Sequence, residues 1–516
     1  MEKPKLLYYN DSRHYSLYRY DPPMSLHQLR QPVDEILGTG VDTLVYGLAS
    51  GQTFLHDTQV GMRWGEGVER HSQGVLWWRA AENLRRALEA GNDPLKVVVD
   101  RAHEKGLRIL CSLRMNEPTT RESGNFYMLG RLKHQHPELA IGGEVDPDHP
   151  HAATCLDFAR EEVIEERLAV IEEVCDRYGA DGLEMDPYVG VFFKPSTARE
   201  SAPKLTEFVR RVRALLDRIG KARGTSLQLS SRVYASEEAN LAVGMDVRTW
   251  LTEGLVDLVI PQQQSFLLDA EIPIHWLVEA AADREAGVYV PMAREVYDDR
   301  DQAVTVEMYR AAASNYRAMG ADGVYLADLP WPHTTLEYQV IREMSDPHIF
   351  ARKRKHYFIA RQEANPTPHA WARPLPVELE EGVAKAVPFL VSDPLASARA
   401  DGELKGLRLG VRVVQYCPED ELSFRLNGSP LPPAEVTHYY GGLVSYGAAR
   451  GGLPARINTH HWFHFELPTD LVVEGENVLE VTMVKHFKAL TAERVLHQVE
   501  LIVDYKEPFQ TNGGQM

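Results

Sequence analysis

Residues Asp181–Gly190 read DGLEMDPYVG, an apolar run that carries two carboxylates, Glu184 and Asp186. Short apolar runs bounded by Gly and Pro are buried strands. Alternation along a strand places Leu183 and Met185 on one face and Glu184, Asp186 and Tyr188 on the other. A strand that turns apolar side chains toward helices and acids the opposite way fits a barrel, where catalytic groups sit at the C-terminal strand ends. Asp186 stands at such an end, and Glu184 lies one step deeper.

Working outward, this run is one of eight apolar, β-rich segments: residues 5–11, 41–50, 106–114, 181–186, 226–234, 255–263, 287–295 and 322–329. Amphipathic stretches such as EEVIEERLAVIEEVCDRYG and KLTEFVRRVRALLDRIG separate them, with apolar residues recurring at three and four. The tetrad GADG precedes the fourth segment (Gly179–Gly182) and recurs before the eighth (Gly320–Gly323). Each reads as a helix-terminating glycine feeding a short turn into a strand. Eight such units predict a (β/α)8 TIM barrel over residues 1–350. An open doubly wound sheet would call for a glycine-rich phosphate loop, and no GxGxxG or Walker pattern is present.

Two connections on the side of the strand C-termini are long, residues 51–78 and 115–155; the first is rich in Trp, His and Arg and the second in His. Long loops on that side of a barrel carry function. Residues 351–374, with the basic run Arg352–Lys355 and a Pro-rich tail, read as a linker. From 375 to 508 the pattern becomes alternating strands with turns, including Asn427-Gly428, and predicts an all-β sandwich.

The 516-residue chain has 44% hydrophobic residues and a formal net charge of −18. That composition suits a multidomain globular protein and argues against nucleic acid or an anionic membrane as partner. No stretch approaches the apolar length of a membrane span, and the N-terminus lacks a signal-like apolar core. The expected setting is cytoplasmic, or secreted had a leader been removed. The four cysteines form no CxxC pair and read as buried thiols. The cluster around Asp146, Asp148, His149 and His151 matches no metal-ligand spacing, so neither a metal nor a cofactor is expected. A homo-oligomer is compatible with everything in the sequence.

Alternation on neighbouring segments groups Ser112, Arg114 and Asn116 on one face, and Gln228, Ser230, Arg232 and Tyr234 on another. The interior beside Glu184 is therefore cationic, and a buried Glu184 needs one of these arginines as partner. Arg114 and Arg232 also suit a carboxylate or sulfate on an acidic sugar.

The block from Leu156 to Gly190, a helix ending in Tyr-Gly-Ala-Asp-Gly followed by the Glu/Asp strand, resembles glycoside-hydrolase-like TIM barrels of the bacterial "family 10-like" type. So does GVYLADLPWP with the MSDPHIFARKRKHYFI segment after it. The resemblance covers these two blocks well and the barrel loosely. It implies a carbohydrate substrate, with Asp186 as nucleophile or base. Glycoside hydrolysis takes two carboxyl groups, about 5–5.5 Å apart for retention or about 6.5–9.5 Å for inversion. Candidates for the second are Glu295, favoured narrowly, then Asp328, Glu117 and Glu184 itself. The sixth segment ends in Gln262-Gln263-Gln264 and offers none.

For sugar binding the sequence points to Trp64, Trp331, Tyr188 and Tyr234 as aromatic faces. Asn10, Asp11, Asn116, Gln262, Gln264 and Asp328 are the polar candidates, with Arg114 and Arg232. The expectation is a glycosidase acting on an oligo- or polysaccharide. The alternative is a barrel that binds glycan after losing its acid.

Overall fold

The computed structural model describes residues 3–50, 52–71, 74–120, 129–143, 150–187, 190–262, 267–296, 303–327, 329–362, 370–440 and 459–506. The expected site residues Tyr188, Gln264 and Asp328 lie outside them.

Eight parallel strands close into a barrel: β1 (Leu7–Asp11), β2 (Thr43–Gly47), β3 (Arg108–Arg114), β4 (Gly182–Asp186), β5 (Gln228–Val233), β6 (Leu258–Pro261), β7 (Gly287–Pro291) and β8 (Gly323–Leu326). Each pairs with its sequence neighbours, and β1 closes the ring against β8 through Leu7 opposite Tyr325. The lower interior is packed with Leu7, Val45, Leu110, Leu258, Ile260, Tyr289 and Tyr325. These residues fix the parity of their own strands, and register carries it to β4 and β5: Glu184 and Asp186 face inward on β4, as do Ser112 and Arg114 on β3 and Ser230 and Arg232 on β5.

The GADG echo has a packing reason. Gly179 (φ +82°) and Gly320 (φ +95°) take the left-handed conformation that ends a helix. The second glycine of each tetrad opens a strand where the interior is tight. A Cβ on Gly182 would lie 2.1 Å from the Gln228 carbonyl oxygen, and one on Gly323 would lie 2.9 Å from the Tyr289 ring.

Amphipathic helices follow the strands, among them α1 (Val75–Glu89), α2 (Pro94–Glu104), α3 (Glu161–Glu172) and α4 (Ala202–Arg223). The long connection after β2 is packed down where it is described. Thr58 Oγ1 and the Gln59 N–H donate to Glu173 at 2.7 and 2.6 Å, and Trp64 stacks on Trp77 of α1 at 5.3 Å. Cys111, Cys155 and Cys175 are buried free thiols.

The chain forms two compact units. The first holds the eight strands and residues up to 263. The second gathers residues 264–272, 292–319 and 329–516, and so includes α5 (Val306–Ala318) and α6 (Thr335–Met344) together with the all-β region. That region is a sandwich. One sheet runs β9 (Lys355–Phe358), β18 (Arg494–Tyr505), β12 (Leu404–Val414), β16 (Thr459–Leu467), β15 (Glu435–Tyr440), with β10 (Val377–Leu379) also pairing β18. The other runs β11 (Ala384–Val391), β17 (Gly475–Lys485), β13 (Glu421–Leu426), β14 (Ser429–Pro430). Its core draws Val387, Phe389, Leu409, Val411, Phe465 and Leu501 from both sheets, and Ala311 of α5 packs against them. Within this unit Arg310 of α5 holds Glu343 of α6 through two bonds of 2.6 and 3.0 Å. No helix among the described residues is long and apolar enough to cross a membrane.

Candidate active site

Adjacent strand ends bring the inward-facing polar residues of β3, β4 and β5 together. Glu184 is fully buried. Its Oε1 accepts from Ser112 Oγ at 2.7 Å, from Arg232 Nε at 3.0 Å and from Tyr325 Oη at 3.0 Å. Arg232 extends along the same axis: Nη2 donates to Tyr325 Oη at 2.6 Å, and Nη1 lies 3.7 Å from Asp186 Oδ2. The guanidinium also lies over two rings, 4.6 Å from the Tyr9 centroid and 5.2 Å from that of Tyr325. Such stacking, with separate N–H groups of one fork reaching different partners, suits arginine and not lysine.

One cation thus serves two carboxylates. Burial pushes the Glu184 carboxyl up, Arg232 opposes this, and the neighbouring Asp186 adds to the rise. Burial and the charge of Asp186 likewise push the Tyr234 hydroxyl up to about 12. That hydroxyl lies against Gly190 (φ +65°), where a Cβ would come within 1.8 Å of it. The other oxygen of Glu184 and the side-chain oxygens of Ser230 and Gln228 are buried with no hydrogen-bond partner among the described residues. All three lie on inward positions of β4 and β5, a polar floor below the ion pair.

Several expected residues stand elsewhere. Asn10 alternates outward from β1, and its amide donates to Glu35 at 3.1 Å, on the side away from Tyr9. Asp11 faces inward but is taken by Arg13 at 2.8 Å; burial pushes its carboxyl up, and the arginine outweighs this and holds it well below the usual range. Asn116 is buried with both amide protons on the carbonyls of Leu156 and Val191, each at 2.8 Å, so it pins loops and has no donor for a sugar. Trp64 is a buried member of a cluster with Leu17, Leu55 and Leu84, not an exposed platform. Glu295 is half-exposed, pairs with Arg294 at 3.5 Å and belongs to the second unit. Trp331 is also part of the second unit, half-buried. Gln262 follows β6 on the inward parity, and Arg114 stands beside Asp186 in register.

Tyr325 and Tyr9 were absent from the expected site. The structure turns Gly323, Tyr325 and Ala327 inward. The repeat held the signal: counted from the last glycine of each GADG, Glu184 and Tyr325 occupy the same place. Among the described residues no group of three or more His, Cys, Asp or Glu is disposed to hold a metal.

The fold and this polar interior define a (β/α)8 barrel with a buried carboxylate–arginine centre at the C-terminal strand ends. No protein-family model matches the sequence, and no curated protein matches it. Among solved structures it is similar to a cycloisomaltooligosaccharide glucanotransferase from Paenibacillus sp. (9% identity, TM-score 0.35, 96% of this chain and 57% of that one). It is also similar to the maltogenic alpha-amylase AmyB of Thermotoga neapolitana (11%, 0.39, 93% and 98%). A third is the GH36 alpha-galactosidase AgaA of Geobacillus stearothermophilus (14%, 0.37, 94% and 56%). This chain spans little more than half the length of the first and third.

Proposed function

We propose that this protein is a glycoside hydrolase acting on an oligo- or polysaccharide, with Asp186 as nucleophile or general base. The observation that carries this reading is the shared Arg232. A single guanidinium reaches both Glu184 and Asp186 and fixes the two carboxylates in a polar interior at the C-terminal ends of the strands. Glycosidic cleavage develops positive charge at the anomeric carbon, and a carboxylate held in place in a water-poor site favours that charge. Arg232 keeps Asp186 in place, and Glu184 with Ser112 and Tyr325 keeps Arg232 in place. The guanidinium is already engaged by Glu184, Asp186 and Tyr325, so a neutral sugar fits this site better than an acidic one.

The second reading, glycan binding without hydrolysis, draws on Glu295. The carboxylate favoured from sequence as the acid is half-exposed and paired with Arg294.

A panel of aryl glycosides and oligosaccharides, run on wild type and Asp186→Asn, separates the two. The expected result is turnover by the wild type and a loss of at least ~10³-fold in the variant. Turnover by Asp186→Asn at the wild-type rate would remove Asp186 from the chemistry. Binding by both proteins with no turnover would establish the second reading.

A further inference from the structure

Cleaving an unactivated glycosidic bond requires a proton on the departing oxygen. Glu184 is poorly placed to give it, since it lies below Asp186 with one oxygen already engaged by three donors. Glu117 is placed differently. The Met115 N–H donates to the Asp186 carbonyl at 2.8 Å, so the chain carrying Glu117 runs off β3 directly beside the end of β4. Its backbone is fixed on both sides: the N–H donates to Asn116 Oδ1 at 3.0 Å, and the carbonyl accepts from Lys133 Nζ at 2.8 Å.

The Glu117 side chain is buried, with Oε1 accepting from Thr119 Oγ1 at 2.8 Å. Oε2 is buried too and has no partner among the described residues. A bare carboxylate oxygen in that position is costly, whereas the same oxygen carrying a proton is a donor awaiting an acceptor. Burial pushes the Glu117 carboxyl up; Thr119, Arg114 and Lys133 pull the other way without cancelling it. The groups facing it are Arg114 from β3, Lys133 from the helix Arg131–Gln135, and Cys155. Burial pushes Lys133 down to about 8 and the Cys155 thiol up to about 12.

We propose that Glu117 is the proton donor to the glycosidic oxygen, with Asp186 as the other carboxylate. This assignment rests on the hydrolase reading above. The C1–O bond breaks with its electron pair going to the oxygen, which takes the Glu117 proton and leaves as an alcohol. The hydroxyl of a water molecule ends on C1, and the remaining proton of that water restores the acid.

The test compares wild type, Glu117→Gln and Thr119→Val on 2,4-dinitrophenyl, 4-nitrophenyl and methyl glycosides of glucose, galactose, fucose and N-acetylglucosamine. Tm is measured for each protein. A 2,4-dinitrophenolate departs without a proton and a methoxide does not. Glu117→Gln is expected to lose ~10²–10⁴-fold on the methyl glycoside and less than ~10-fold on the dinitrophenyl one, and to lose the basic limb of the kcat/KM profile. Thr119→Val, which removes a bond favouring the ionised form, is expected to move that limb to higher pH. An equal loss on every leaving group, or a basic limb unmoved in both variants, overturns the assignment to Glu117 while the hydrolase reading stands. A wild type inactive on every glycoside overturns both.

Discussion

Arg232 reaches two carboxylates of one strand. Its Nε lies 3.0 Å from Glu184 Oε1 and its Nη1 lies 3.7 Å from Asp186 Oδ2. Residues two apart on a strand share a face, so both acids were bound to point inward. The arginine between them comes from the next strand and makes their juxtaposition tolerable. Without it, two like charges would stand at neighbouring inward positions in a site where Glu184 has no contact with solvent.

Arg232→Met is therefore expected to destabilise the protein by about 3–5 kcal/mol, because it leaves Glu184 buried and uncompensated. Arg232→Met combined with Glu184→Gln is expected to recover a large part of that loss, since the charge that needed a partner is gone. Urea unfolding of the two singles and the double closes the cycle. A double mutant no more stable than Arg232→Met would show that the pair is not coupled.

Trp64→Ala is expected to act on stability and not on sugar affinity. The ring is buried in the cluster with Leu17, Leu55 and Leu84 and stacks on Trp77. Removing a buried Trp costs about 3–5 kcal/mol. Thermal unfolding should show the loss, and KM for any glycoside turned over should stay within a factor of ~2 at a temperature where the variant is folded. A large rise in KM with unchanged Tm would return Trp64 to the substrate site.

In the second unit the acid limit of stability should follow Glu343. Burial pushes its carboxyl up, but Arg310, Lys353 and Gln339 outweigh this and hold it down to about 2. The folded value lies below that of the unfolded chain, so the unfolded state takes up the proton first as pH falls. The contribution, on the order of 2–3 kcal/mol, is complete above about pH 5 and disappears as pH drops toward 2. Glu343→Gln should unfold at a lower Tm at neutral pH, and its Tm should depend less on pH between 5 and 2. Parallel Tm–pH curves for the two proteins would contradict the assignment.

How far the sequence could be read depended on whether a feature was local. The eight strands, the GADG turns and the inward direction of Glu184, Asp186, Arg114 and Arg232 all follow from alternation and from turn chemistry within a few residues. At Asn10 alternation itself decides the direction: with Asp11 directed inward, Asn10 turns outward, toward Glu35. Trp64 and Asn116 pose a different ambiguity. Trp and Asn in long loops on the catalytic side are as suitable for sealing those loops as for binding a sugar. Only the positions of α1 and of the Leu156 and Val191 carbonyls decide between the two.

The sequence by itself determined that a buried strand would carry two acids on its inner face and that an arginine would have to meet the deeper one. Covalent geometry alternates side chains along a strand, and the cost of a buried charge demands a partner. Only the tertiary structure decided that the partner is Arg232, that Tyr9 and Tyr325 enclose it, and that Asp186 shares it. Those contacts join β1, β4, β5 and β8, separated by more than a hundred residues in places. Their match is set by the stagger of strands around the closed barrel, which no short-range pattern encodes.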